Sequence, residues 1–292
     1  MPLEVNTFGS TVGGISVMIF TLNEALHLPT CLAALSWCDD VIVIDSLSSD
    51  ETEQIARASG ARFFSNEFSG FGAQRNWALD NAKPKHRWIL ILDADERVPP
   101  ELASEMRKIA EVDQGGVGAY RLRRRFYMWG RWLKHSSLYP TWVVRFIHRD
   151  RVRYINRGHA ETQTIEGELR DLENDLIDEN LKGIDEWFER QNRYSRREAE
   201  YELATATSRD EISALFTADP LRRRAATKNL GRRVPFRGTI YFLYAYVFRF
   251  GFLDGLDGLM FCRMRALYQS EVELKKYDFS RRAGHSAPAG RT

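Results

Sequence analysis

The run Arg87-Trp88-Ile89-Leu90-Ile91-Leu92 ends in Asp93-Ala94-Asp95-Glu96, and two acids one position apart could do chemistry there. Extended backbone places positions i and i+2 on one face, so the carboxylates of Asp93 and Asp95 can converge. Held together, they repel and raise one another's pKa unless a positive charge sits between them. A hard divalent cation, Mg²⁺ or Mn²⁺, meets that need with oxygen ligands and leaves room for a phosphate. A polar turn closing a strand would explain the same letters, so the pair must be weighed with its neighbours.

Two other apolar runs end the same way. Ile15 to Leu22 leads into Thr21-Leu22-Asn23-Glu24, and Asp40 to Asp45 ends in Asp45-Ser46. Helix capping or turn formation accounts for each alone, but capping needs one such group per helix and not a surplus of acids. In open α/β sheets the ligand crevice lies beyond the C-terminal strand ends. The three ends together therefore predict a shared nucleotide or metal site.

The elements that must position them follow from the pattern between these runs. Glu24 to Trp37 reads as a helix with Pro29 in an early turn. Overlapping capping boxes in Ser48 to Glu53 start a helix that ends near Ser59. Ala61 to Ser65 reads as a strand, Gly70 to Ala82 as a helix, and a further helix follows Pro99-Pro100 to about Glu111. Strands with continuous rather than alternating hydrophobicity, separated by helices, predict a doubly wound α/β sheet covered on both faces. No G-x-G-x-x-G follows the first strand, so this is not the dinucleotide fingerprint.

The second half has another character. Gly118 to Phe146 is dense in Arg and aromatic residues, a composition suited either to an anionic, ring-bearing partner or to a basic strand packing its rings inward. Leu181 to Tyr201 has the spacing of an amphipathic helix whose stripe is core. From Leu221 to Leu253 there are eight Arg or Lys residues and no acid, around a Tyr- and Phe-rich body too short to span a bilayer. Such a segment suits a membrane interface with anionic lipid.

Bulk properties narrow the classes. With 292 residues and a net charge of +2, one large domain or two smaller ones are expected. Three cysteines (Cys31, Cys38, Cys262) without CxxC spacing argue against a disulfide framework or zinc site and suit a reducing compartment. Met1 to Gly14 has no secretory pattern, and no apolar run approaches the roughly 20 residues of a spanning helix.

Four blocks in order, ISVMIFTLNEA, VIVIDSLSSDET, GFGAQRNWAL and WILILDADERV, resemble the N-terminal half of glycosyltransferase family 2. The segments RRRFYMWGRWLKH, Arg145-Phe146, Gly158-His159-Ala160-Glu161, RQNRYSRREAEY and FRFGFLDGLDGL resemble its lipopolysaccharide-core glucosyltransferases. The resemblance implies a GT-A fold: Rossmann-like α/β, a mostly parallel sheet with helices on both faces, and a helical, basic C-terminal extension. Together with the composition of the second half, which marks a membrane-associating helical region (216–277) and a Gly-, Pro- and Arg-rich disordered tail (278–292), it gives an N-terminal extension (1–14) and a catalytic domain (15–215). Within the catalytic domain it implies a nucleotide-sugar half (15–112) and an acceptor half (113–215).

By that resemblance Thr21, Asn23 and Glu24 would line the nucleotide pocket, Asp45 would accept from uracil, and Arg75 would lie beside base and diphosphate. Asp93 would face ribose or metal, and Asp95 would bind the Mg²⁺ or Mn²⁺ bridging the diphosphate. Glu161 would be the general base of an inverting transfer, while Arg125, Trp132, Arg145 and His159 would meet acceptor or phosphate. The implied reaction moves a hexose, glucose from UDP-glucose, to a lipopolysaccharide-core or lipid-linked acceptor. Its place would be the inner face of the cytoplasmic membrane, with no nucleic-acid partner. Two departures stand out: Ala160 separates His159 from Glu161, and Asp178 occupies a stretch where the subgroup often has His. A sugar-1-phosphate nucleotidyltransferase would need a Gly-rich basic loop after the first strand, which TLNEALHLP is not. A nucleic-acid-binding protein would have to tolerate an acidic sheet edge that repels phosphate.

Overall fold

The computed structural model describes residues 13–112, 115–157, 160–204 and 235–286. They divide between two compact units, one of residues 13–156 and 160–182 and the other of Arg157 with the described residues from Gly183 onward.

The first unit is built on β1 (Ile15–Thr21), which pairs in parallel with β2 (Asp40–Asp45) on one side and β4 (Trp88–Asp93) on the other. The parallel strand β3 (Arg62–Ser65) extends the β2 edge. Strand parity separates two cores, with Trp88, Leu90 and Leu92 facing one way and Ile89 and Ile91 the other. That is why these runs are apolar throughout: both faces of the sheet are covered. Connecting them are α1 (Leu28–Ala33), α2 (Thr52–Ala58) and α3 (Phe71–Asn81), and α4 (Pro100–Val112) follows β4 and the short β5 (Glu96–Arg97).

Beyond β4 the sheet becomes mixed. The long β6 (Val117–Met128) and β8 (Thr141–His148) run antiparallel to each other, and β8 runs antiparallel to β4. The short β7 (Arg131–Trp132) turns back on β6. β9 (Val152–Arg157) and β10 (Ala160–Ile165) form a separate two-stranded ribbon. Parallel to β6 lie β11 (Glu168–Asp171) and β12 (Leu176–Glu179), and β12 closes on β5. The mostly parallel α/β sheet expected from the sequence is what the chain forms.

One element is shorter than its periodicity predicts. The helix expected from Glu24 begins only at Leu28, with Pro29 in its first turn. Residues 23–25 are held by side chains from the β2 loop instead. The N–H groups of Asn23, Glu24 and Ala25 donate to Ser48 Oγ, Thr52 Oγ1 and Asp50 Oδ2 at 2.7, 2.8 and 3.0 Å.

The second unit is helical. α5 (Ile184–Ala204) buries Trp187, Gln191, Ser195, Ala199 and Glu202. It packs with α7 (Gly255–Ser286), which also carries the short α6 (Arg237–Leu243). Buried Glu202 joins all three, accepting from Arg237 Nη1 at 2.9 Å and Lys276 Nζ at 2.6 Å. α5 therefore groups with the C-terminal helices, whereas the expected boundary at 215 had it with the sheet. The tail expected to be disordered from residue 278 is helical through Ser286, where an Arg282–Asp278 pair at 2.9 Å supports the last turns. No helix among the described residues is long and apolar enough to cross a membrane.

Candidate active site

Strand register brings the expected residues together. Thr21 lies beside Asp45, and Phe20 beside Asp93, so three strand ends share one edge. Thr21 Oγ1 donates to Asp45 Oδ1 at 2.7 Å, and Ser48 adds its Oγ to Oδ1 at 2.5 Å and its N–H to Oδ2 at 2.7 Å. A carboxylate offers about four acceptor directions, so one remains for a ligand donor. Asn23 takes the left-handed conformation (φ 55°) and accepts from Ser49 N at 2.8 Å, locking the two loops to each other.

Glu24 is fixed from both sides, by His27 Nδ1 at 2.6 Å and Lys182 Nζ at 2.7 Å. His27 Nε2 accepts from Leu181 N at 2.8 Å, which assigns the imidazole proton to Nδ1, facing Glu24. Lys182 and His27 were not flagged by the sequence, because the contact spans most of the first unit.

At the centre is Arg75, only 4% exposed. Its guanidinium lies between the rings of Phe20 and Tyr154, at 5.5 and 5.6 Å from their centroids. Nη2 reaches Asp93 at 3.4 Å, and Nη1 pairs with Glu161. The helix that carries Arg75 is tied to β9: Asn156 Oδ1 accepts from Gly72 N at 2.8 Å, and Asn76 exchanges hydrogen bonds with the Tyr154 backbone at 2.8 and 2.9 Å. Gly70 before it has φ 141°, and a Cβ there would sit 2.8 Å from the Asn156 amide. Only glycine suits that approach.

A second cluster backs Asp93. Arg145 pairs with Asp93 and with Glu96, the latter at 2.7 Å, while Glu96 Oε2 accepts from Asp93 N at 2.9 Å. Arg124 reaches Asp178 at 3.0 Å and Glu96 at 3.8 Å. Asp95 is held at its backbone oxygen by Glu179 N at 2.9 Å and at Oδ2 by Asn180 Nδ2 at 3.2 Å. Burial works against the charge of Asp93, but Arg145 and then Arg75 outweigh it and hold the carboxyl at about 2. For Glu96 burial wins, with the Asp93 charge adding to it, and the group rises to about 7 despite Arg145. Asp178 is pushed up to about 8, again by burial first, with Arg124 opposing and Asp95, Glu96 and Asp93 adding.

Five carboxylates, Asp93, Asp95, Glu96, Glu161 and Asp178, thus surround three guanidinium groups, Arg75, Arg124 and Arg145. Burial and the crowding of acids keep the protons on Glu96 and Asp178 up to about 7 and 8, and a divalent cation beside Asp93 and Asp95 would suit such a crowded set. Among the described residues no three metal-ligating side chains form a ready-made cage. Mg²⁺-type sites in phosphate chemistry use one or two carboxylates with substrate oxygens, so the donor set is compatible. Asp93 is already committed to two arginines.

Among the described residues, the expected acceptor residues Arg125 and Trp132 share one set of partners and Arg145 has another. Arg125 stacks over Trp132 at 5.1 Å and donates to Asp175 Oδ2 at 2.6 Å. Asp175 also binds Arg123 Nε at 2.6 Å and the Tyr139 hydroxyl at 2.9 Å. Arg145, by contrast, is buried against Asp93 and Glu96, so its charge serves the carboxylates. His159 lies outside the described residues.

Residues 16–166, just over half of the chain, match the family model "Glycosyl transferase family 2". The lipopolysaccharide core biosynthesis glycosyltransferase LpsC of Rhizobium meliloti is 25% identical over 210 residues, spanning 70% of this chain and 77% of that protein. An uncharacterized glycosyltransferase of Rickettsia bellii is 35% identical over 111 residues, 37% of each chain, so this chain spans little more than a third of that relative. Among solved structures, S. aureus TarS 1–349 in complex with UDP-GlcNAc is similar over 92% of both chains, with 15% identity and a TM-score of 0.44. The chain belongs to glycosyl transferase family 2 and is a glycosyltransferase.

Proposed function

We propose that the chain is an inverting, metal-dependent hexosyltransferase that uses a UDP-sugar, with glucose the favoured sugar. Its acceptor would be a lipopolysaccharide-core or lipid-linked glycan, met at the cytoplasmic face of the membrane. The observation that carries this reading is the gathering of Thr21, Asp45, Asp93 and Asp95 at the C-terminal edge of three parallel strands, with five acids crowded around three arginines. The acceptor class follows the lipopolysaccharide-core relative and the family resemblance.

Each residue then has a task. The remaining acceptor direction of Asp45 takes the uracil N–H, and the Asn23–Ser49 lock shapes the pocket beside it. Glu24, oriented by His27 and Lys182, accepts from the ribose. Asp95, with Asp93, would hold Mg²⁺ or Mn²⁺, which supplies positive charge for the departing diphosphate. Asp178 sits beside this pair, bound to Arg124, where the subgroup's His was expected. Arg75 orients both Asp93 and Glu161 from one guanidinium. Glu161 takes the proton of the acceptor hydroxyl as that oxygen attacks C1 of the sugar and the bond from C1 to the diphosphate breaks. One displacement of this kind inverts the anomeric centre.

A panel of nucleotide sugars scored by Mn²⁺-dependent thermal stabilisation tests donor and metal together. UDP-sugars should stabilise in the presence of Mn²⁺ and lose most of the effect without it. Equal stabilisation by all nucleotides, or none by UDP-sugars, would contradict the donor assignment.

A further inference from the structure

Within the C-terminal unit, residues 236–256 bury their small side chains and expose their large ones. Gly238, Ala245 and Gly251 are buried. A Cβ added to Gly238 would lie 2.0 Å from Ser270 Oγ and 2.6 Å from the Ala266 oxygen. One on Gly251 would lie 2.7 Å from the Ala245 oxygen and 3.1 Å from Cys262 Sγ. The backbone therefore packs directly on α7, and the bulky residues have only the outside left to them. Ten large apolar residues of this segment are exposed, led by Phe236 (73%), Phe248 (71%) and Leu256 (68%). A water-facing helical element has the opposite pattern.

The rings form a connected surface. Phe242 stacks on Tyr246 at 5.2 Å, and Phe252 meets Tyr246 and Phe250 at 6.2 and 6.0 Å. Phe236 and Phe250 hold left-handed backbone (φ 61° and 60°), a conformation bulky residues disfavour. The short helix, the π-helical turn at Tyr244–Phe248 and the 3-10 turn at Gly251–Asp254 are thus fixed against α7 with the aromatics outward. Isolated exposed apolar residues are ordinary, but a contiguous set marks an interaction surface.

Charge selects the partner. From Leu221 to Leu253 the chain has eight basic residues and no acid. The Asp254 that follows is buried, and Arg237 is turned inward to Glu202 and Gln269. An apolar, ring-rich surface in a stretch of sequence with this excess of basic residues matches the boundary between headgroups and acyl chains of an anionic bilayer. We propose that residues 236–256 form a wedge that inserts its aromatic rings into the surface of a membrane containing anionic lipid. This deepens the membrane-face reading above and rests on it only for the place of the reaction.

The full-length protein should be mixed with vesicles of phosphatidylcholine, alone or with phosphatidylglycerol, and sedimented. Wild type and Phe248→Trp should bind the anionic vesicles at least about tenfold more strongly than Phe248→Asp/Leu253→Asp. The Phe248→Trp emission should shift to the blue and be quenched by lipids with brominated chains. Protein left in the supernatant, equal binding by the double variant, or an unshifted tryptophan would overturn the wedge. So would a wild-type dimer that the double variant dissociates, with no vesicle binding, because the surface would then join two copies. Phe248→Ser, a milder change that should still weaken binding, replaces the double variant if that one does not fold. Mn²⁺-dependent stabilisation by UDP, measured on the same samples, keeps the two readings apart. UDP binding without vesicle binding sinks the wedge alone, and vesicle binding without UDP binding sinks the donor assignment alone.

Discussion

Replacing Arg145 with Met should destabilise the protein strongly, and more so as the pH rises. Arg145 is 5% exposed and spans Asp93 and Glu96, so its removal leaves two acids without their shared cation. Breaking a buried ion pair from one side typically costs about 3–5 kcal/mol. The shares are unequal: Asp93, 38% exposed at its side chain, keeps part of its hydration and its contribution is discounted, while Glu96 is fully buried. With Arg145 gone, both carboxyls hold their protons more tightly in the folded state. The unfolded chain releases them above about pH 4, and Glu96 already keeps its proton to about pH 7 with Arg145 present, so below pH 7 the penalty grows through Asp93, by up to about 1.4 kcal/mol per pH unit while that acid stays protonated only when folded. Urea unfolding followed by tryptophan fluorescence should show a loss of about 3–5 kcal/mol near neutral pH and a clearly smaller one near pH 5.5. Adding Glu96→Gln to Arg145→Met should recover part of it. A loss under about 1 kcal/mol, or one independent of pH, would refute the claim that this arginine neutralises the buried cluster.

Three further outcomes follow from the same geometry. Glu161→Gln should lower turnover by about 10²- to 10⁴-fold while Mn²⁺-dependent UDP binding stays near wild type; near-normal turnover would remove Glu161 as the base. Asp178 has a folded pKa of about 8, raised mainly by burial, so its proton stays on in the folded state while the unfolded chain releases it near pH 4. Wild-type stability should therefore fall as pH rises from about 4 to about 8, and Asp178→Asn should flatten that fall, as thermal unfolding at several pH values would show. Phe20→Ala opens one side of the Arg75 sandwich and should raise the KM for donor more than it lowers kcat; unchanged steady-state constants would show that the ring does not position the guanidinium.

The candidate edge was legible because its strands are apolar runs that stop abruptly at acids, a pattern that a doubly covered parallel sheet imposes. β1, β2 and β4 and their terminal Thr21, Asp45 and Asp93 needed no distant information. The misplaced start of α1 has a physical reason: the backbone of residues 23–25 is satisfied by Ser48, Asp50 and Thr52, and periodicity carries no trace of that loop. The carboxylate cluster was harder to read. Arg121 to Arg125 look alike in sequence, but strand parity sends Arg124 toward Glu96 and Asp178 while Arg123 and Arg125 meet Asp175. Counting alternate positions from Leu122 would have singled out Arg124. Glu96 was visible beside Asp95, but its pairing with Arg145 depends on β8 lying antiparallel against β4. The helical unit was the least legible part, since its boundary at Gly183 depends on which partner α5 packs against.

Asp95 is the acid proposed for the metal and the diphosphate, so its replacement is the most direct test. Release of UDP from UDP-glucose should be followed with wild type and Asp95→Ala, in Mn²⁺ and after chelation, with circular dichroism confirming that the variant folds. The expected result is acceptor-dependent UDP release by wild type in Mn²⁺, lost on chelation and lost in the folded Asp95→Ala variant. Near-normal release by that variant, or release by wild type that ignores chelation, would contradict the assignment of this edge as a metal–diphosphate site.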